Sequence, residues 1–141
     1  MAGLHNTIAS QIATTVAGVT SVQACSPTPV DSIPATPFGV VGPPKGQLFQ
    51  PGSWERLLLQ FPLRIYVSRI ASADRDQTTT NDFLDNFLTA FRTGITLGGN
   101  VQQCVIVSWD TDRFYTVNNE DYQAIDFVLS VEVERSATYT A

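Results

Sequence analysis

The sequence predicts an α+β fold: a mainly antiparallel sheet with two helices packed on one face, plus a Pro-rich loop or arm. Three observations lead there. In the stretch Tyr122 to Glu134, Ile125, Phe127, Leu129, Val131 and Val133 alternate with Asp126, Ser130, Glu132 and Glu134, and Val128 is the one apolar intruder on the polar side. A period of two is that of a strand with one face buried and one wet, whereas a helix would scatter the same residues around its surface. In Trp54 to Arg69, Leu57, Leu59, Phe61, Leu63, Ile65 and Val67 alternate with Arg56, Gln60, Arg64 and Ser68, the latter face also carrying Leu58, Pro62 and Tyr66. Two further segments carry apolar residues at helical spacing and can cover the sheet's apolar face, which gives one helix-bearing face and one polar face.

The first of these helices is Leu4 to Ala17. Leu4, Ile8, Ile12, Val16 and Val19 form its stripe, Gly18 is a suitable stop, and the other face is polar but almost uncharged. Thr20 to Cys25 reads as a short strand. Seven of the eight prolines then fall between Pro27 and Pro51, with Gly39, Gly42 and Gly46 among them. Proline has no N–H to give to a ladder, so this segment is expected to be loop or sheet edge, with Phe38 to Val41 as a short strand inside it. It is nevertheless apolar. Phe38, Val40, Val41, Leu48, Phe49 and Trp54 are therefore candidate contacts to another chain, with folding over the domain's own core as the competing reading.

Pro62 lies in the middle of the Trp54–Arg69 strand and predicts an irregularity there. Asp74, Arg75 and Asp76 belong to a polar strand-to-helix loop. From about Thr79 the pattern turns helical, with Phe83, Leu84, Phe87, Leu88 and Phe91 as a wide apolar face, Asp82 and Asp85 towards its start, Arg92 at its end and Gly94 as its stop. Three phenylalanines on one helix face make a core layer. Leu97 to Asn100 is a turn, without the glycine spacing or lysine of a phosphate loop. Val101 to Trp109 reads as a third strand, with Val105, Val107 and Trp109 on one face and Cys104, Ile106 and Ser108 on the other. Extended structure resumes at Phe114 to Val117, and Asn118 to Asp121 turns the chain into the last strand.

With 141 residues, 43% of them hydrophobic and 15% charged, the chain is expected to form a single domain over residues 1–141, with residues 27–53 as an insert or arm within it. The net charge of −5 argues against a basic clamp on nucleic acid, which needs Lys and Arg to displace the counterions around phosphate. It permits a protein that surrounds DNA without gripping it. Cys25 and Cys104 form no metal-ligand spacing and are expected to be reduced thiols. No apolar run approaches the roughly 20 residues of a membrane span and no leader pattern is seen, so a soluble protein is expected.

The order of elements resembles the tail terminator (tail completion) proteins of long-tailed bacteriophages. The likeness is carried by the N-terminal helix, the strand Leu57–Val67 leading into the aromatic helix Phe83–Phe91, the segment Gly94-Ile95-Thr96-Leu97-Gly98-Gly99, Trp109, and Tyr122-Gln123-Ala124-Ile125-Asp126-Phe127 with its alternating end. The Pro27–Pro51 insert is longer and richer in proline than that pattern requires. The resemblance implies a virion protein that assembles in the host cytoplasm as a ring, usually hexameric. Such a ring caps the tail tube, ends tail polymerisation and offers a joining surface to a neck or head-completion protein. It implies a homo-oligomer in contact with the tail tube protein, DNA passing through without specific binding, and no membrane, catalysis, metal or cofactor.

The residues give the same expectation on chemistry. His5 is the only histidine, so a Ser–His–Asp set would have to be built around it, and Asp110 with Asp112 makes only half of a cation site. Asp126, Glu132 and Glu134 on the wet face of the last strand are candidate channel-facing carboxylates, with an outer, solubilising surface as the alternative. Two other readings stand beside the terminator. One is another part of the same machine, such as a head-completion or adaptor protein or a tail tube subunit. The other is a small ligand-binding or enzymatic α+β domain.

Overall fold

The structure is a computed structural model that describes residues 4–49, 54–69, 77–91, 97, 101 and 103–136. Its elements are helix α1 (Leu4–Ala17), strands β1 (Ala24–Ser26), β2 (Phe38–Val41), β3 (Lys45–Phe49) and β4 (Trp54–Arg69), helix α2 (Gln77–Phe91), and strands β5 (Gln103–Val117) and β6 (Glu120–Ser136). The fold is α+β, with two helices over one mostly antiparallel, six-stranded sheet. The strand order is β1-β2-β4-β6-β5, with β3 also pairing with β4. Among the described strands only the β1–β2 pair is parallel.

The register assigns every long strand two faces. Leu57, Leu59, Phe61, Leu63 and Ile65 of β4 stand opposite Val133, Val131, Leu129, Phe127 and Ile125 of β6. Ile8, Ile12 and Val16 of α1, and Phe83, Phe87 and Phe91 of α2, pack on this face and close the main core. Phe87 is fully buried, stacked between Phe83 and Phe91 and 5.0 Å from the Phe127 ring centroid. Both helices thus cover the face that alternation marks as apolar, because only that face can exclude water from their stripes.

Pro62 does not break the ladder where the sequence predicts an irregularity. It stands in register opposite Val128, and the shift in β4 falls instead between Tyr66 and Ser68. The reason lies on the other edge of β4. There β2 ends at Val41, opposite Leu63, and β3 begins at Lys45, opposite Gln60. The Pro62 carbonyl accepts a 2.8 Å bond from the Gly42 N–H, so this residue's polar backbone groups point to the gap between the two strands. The donor that proline lacks would have pointed into the same gap, and β6 loses nothing. Gly42 is required here, since a Cβ would come within 2.7 Å of the Pro62 ring.

Of the segment expected as an insert or arm, residues 38–41 and 45–49 are part of the sheet. β2 and β3 fill one edge of β4, and the short strand expected at Thr20–Cys25 forms at Ala24–Ser26. Residues 27–37 pass over the sheet face opposite the helices. There Val30 and Ile33 pack against a second, smaller cluster of Phe38, Tyr66, Tyr122 and Ala124. Enough apolar surface lies on that face at this end to hold the segment in its own domain.

β5 is one strand with two irregularities. A bulge between Ile106 and Ser108 reverses the alternation expected from Val101–Trp109. Cys104, Ile106 and Trp109 stand opposite Val131, Leu129 and Phe127, so Trp109 shares the helix-side face with Cys104 and Ile106 and not with Val105. A second shift, between Asp110 and Arg113, sets Asp110, Arg113 and Tyr115 opposite Asp126, Ala124 and Tyr122 on the other face. Asn118 and Asn119, at φ of 52° and 64°, make the left-handed turn that joins β5 to β6.

Candidate functional site

Three surfaces carry the chain's unusual chemistry: the face opposite the helices and the two lateral edges of the sheet. On the face, β4 offers Arg56 and Arg64, and β6 offers Asp126, Glu132 and Glu134. The Arg64 Nε donates to Asp126 Oδ1 at 2.9 Å. The other carboxylate oxygen accepts from the Tyr115 hydroxyl and lies 3.9 Å from the Arg113 Nε. Arg113 also pairs with Asp110 at 2.9 Å, and the Arg64 guanidinium lies over the Tyr115 ring at 3.5 Å. Burial works to lower the Arg64 pKa, but hydrogen bonds to Asp126 and Tyr66 outweigh it and raise it. Burial pushes the Tyr115 phenol up, and its bond to Asp126 pushes it further.

Of the candidate channel residues, Asp126 and Glu132 are therefore committed to cations. Glu132 Oε1 lies 2.8 Å from the Arg56 Nε, and Asp126 is held as described. Glu134 stands across from Arg56 in the ladder and is the exposed one of the three. This face is a ladder of opposite charges and not the bare acidic surface that reading β6 alone suggests. Beside the ladder is a groove of about 390 Å³ lined by Pro29, Val30, Val40, Pro62, Arg64 and Asp126 among others. Its charged groups neutralise one another: Asp126, the carboxylate on its wall, is already held by Arg64, Tyr115 and Arg113.

The six candidate contacts to another chain separate. Phe38 and Val41 are buried in the domain's own two clusters, so they are withdrawn as contacts to a partner: a side chain without accessible surface has none to offer. Val40 is half-buried against the smaller cluster. Leu48 is 55% exposed. The side chains of Phe49 and Trp54 lie outside the described residues, although their backbones belong to β3 and β4.

Leu48 and two residues of β5, Val107 at 52% and Trp109 at 49%, are the large hydrophobic side chains exposed among the described residues. They lie at opposite edges. β5 ends the sheet on one side, and among the described residues β3 pairs only with β4 on the other. Beside β5, Trp109 lines a groove of about 310 Å³ with Val105, Ile106, Leu88 and Phe91. Sequence reasoning placed Leu48 in an interface but missed Val107 and Trp109 as an exposed pair. Recognising them requires the bulge, and only the pairing with β6 displays it.

Among the described residues no group of three His, Cys, Asp or Glu side chains is placed to hold a metal, and no helix is long and apolar enough to cross a membrane. His5 lies exposed on α1. Both cysteines are free thiols, Cys104 buried and Cys25 half-buried, and burial pushes each up to about 12. Asp74, Arg75, Asp76, Arg92 and Gly94, and the side chain of Asp112, lie outside the described residues. A comparison with protein-family models finds no match, and a comparison with curated proteins finds none either.

Proposed function

We propose that this chain is a structural, non-enzymatic virion protein of the tail terminator kind. Its copies form a ring, hexameric if it follows the family it resembles, that caps the phage tail tube, ends polymerisation and presents a surface to the neck. The observation that carries this reading is the placement of Leu48 at one sheet edge and of Val107 and Trp109 at the other. Proteins that live as monomers blunt their sheet edges with charge, proline or cover. This one leaves apolar side chains on two different edges. Two unlike patches on opposite sides favour a head-to-tail contact, and repeating such a contact closes a ring when the rotation allows. In such a ring DNA passes without specific binding, in keeping with a chain of net charge −5.

The test is the mass of the purified protein under native conditions, followed by electron microscopy with polymerising tail tubes. A closed ring of fixed copy number that binds tube ends and limits tube length is expected. A monomer at every concentration overturns the proposal. A ring that ignores tube ends but binds the portal side of the head assigns the chain to the head-completion or adaptor class.

A further inference from the structure

The ring reading leaves open how one copy meets the next, and the strand directions narrow it. β3 and β6 both run antiparallel to β4, and β5 runs antiparallel to β6, so β3 and β5 run in opposite directions. When two copies stand side by side in the same orientation, β5 of one therefore approaches β3 of the next as an antiparallel partner. Neither copy has to be inverted. In each copy the helix-side face stays on the same side of the joined sheet.

Facing sides then restrict the register, because residues directly opposite in a sheet must point to the same face. On β3, Gly46 and Leu48 share the helix-side face with Leu59 and Leu57, while Lys45 and Gln47 share the other with Gln60 and Leu58. On β5, Trp109 lies on the helix side, opposite Phe127, and Ser108 and Asp110 lie on the other, opposite Val128 and Asp126. We propose that residues 107–110 of β5 in one copy add to β3 of the next with Lys45 opposite Asp110, Gly46 opposite Trp109, Gln47 opposite Ser108 and Leu48 opposite Val107, and that β5 leaves this line at its second irregularity, past Asp110, because β1 of the receiving copy occupies it beside β2. This inference rests on the ring reading and names its contact.

Four features agree in this register. Lys45, exposed on its edge, meets the Asp110 carboxylate, which adds a second cation to the one Arg113 supplies. Trp109 reaches Gly46 on the helix side, where the Leu59 side chain already lies over the glycine, so the indole gains an apolar partner in Leu59. Leu48 and Val107, the two most exposed large hydrophobic side chains described, cover each other. The bulge at Val107 has no partner residue on β6, so it is free to follow the incoming strand. Shifting the register by one residue would set Lys45 and Trp109 on opposite faces of the pairs they meet and lose all of these at once.

The experiment is a disulfide trap in the full chain. Opposed residues of an antiparallel pair have Cα atoms about 4.5–5.5 Å apart, inside disulfide range. Gln47→Cys with Ser108→Cys in one chain should yield, on mild oxidation, a non-reducible-by-dilution ladder from dimer up to the full ring on a denaturing gel. Either single substitution alone should yield no ladder, because each then lacks its opposed thiol, and of the native thiols Cys104 is buried and Cys25 half-buried. Lys45→Cys with Asp110→Cys serves as a second pair should the first fail to fold, judged by an unchanged thermal midpoint. Rings by native mass with no ladder from either pair overturn this register and leave the ring reading standing. A dimer band from Ser108→Cys alone means that β5 meets β5, and overturns the head-to-tail contact. A monomer by native mass with no ladder overturns both.

Discussion

Arg64 and Tyr115 stack on each other at 3.5 Å and end on the same carboxylate, Asp126. Residues from three adjacent strands are thereby tied together on a face that the helices do not cover. Asp126→Asn keeps the shape and removes the charge that both donors address. It is expected to lower stability by about 1–3 kcal/mol, at the lower end because the group is partly exposed to water. Urea unfolding of the variant measures it. Arg64→Lys should also cost about 1 kcal/mol, since an ammonium keeps the charge but not the planar stack.

Phe87 is the keystone of the main core. Phe87→Ala removes a fully buried ring from contact with Phe83, Phe91 and Phe127. The expected loss is about 3–5 kcal/mol from transfer and cavity terms together. An unchanged thermal midpoint would detach α2 from the core.

The edges should respond differently from the core. Trp109→Lys and Leu48→Lys each remove an exposed apolar side chain and place a charge on a sheet edge. Each should leave the thermal midpoint of the monomer within the range of surface substitutions, about 0.5 kcal/mol. Each should shift assembly towards monomer in sedimentation velocity. Unaltered assembly in both would place the contact between copies elsewhere.

Deleting residues 40–50 should unfold the domain. The sequence alone favours the opposite result, a foldable domain with weakened assembly. The structure puts Val41 in the main core and lays β2 and β3 along β4. A milder probe is Ile33→Ser, which strips one side chain from the smaller cluster and should cost about 1–2 kcal/mol by chemical denaturation.

The thiols make a prediction about pH. Burial raises the Cys104 pKa in the folded state to about 12, above its value in the unfolded chain, so the fold favours the neutral thiol. Its contribution is fully present below the unfolded value near 9 and is lost as pH rises through the window from about 9 to 12. Cys104→Ala should flatten the fall of stability with pH in that window, measured by denaturant melts at pH 8 and pH 10.5. At neutral pH a maleimide should label the native protein far more slowly than the unfolded one.

The residues that announce the fold are those whose local pattern and final environment agree. The alternations of Leu57–Val67 and Ile125–Val133 and the stripes of Ile8–Val16 and Phe83–Phe91 all survive into the core, because each element buries one face along its whole length. β3 was illegible for the opposite reason. Its residues Lys45–Phe49 include a glycine and follow two prolines, and Lys45 to Leu48 are all exposed, so only an open edge on β4 makes them a strand. Alternation alone sets Trp109 on the wrong face, because a bulge is invisible to a count of alternating residues. The Arg64–Asp126–Tyr115 cluster was hidden similarly: the partners are 62 and 11 residues apart, and a second bulge is needed to bring Tyr115 to that face.

The gap that Gly42 and Pro62 make between β2 and β3 has a consequence for the order in which the sheet can form. β5 and β6 are joined by a two-residue turn, and such hairpins close in about 1–10 μs without help from distant chain. β4 reaches β6 only across the stretch of chain that carries α2 and β5, so that step is slower and must come after. β2 and β3 can dock only on a finished β4, and the proline lets each do so as a separate event, since no ladder bond runs through it from one to the other. The last strand to settle is then a short one at the rim, beyond the nucleus of folding. Substitutions in Lys45–Phe49 should accordingly speed unfolding and leave the rate of folding almost untouched.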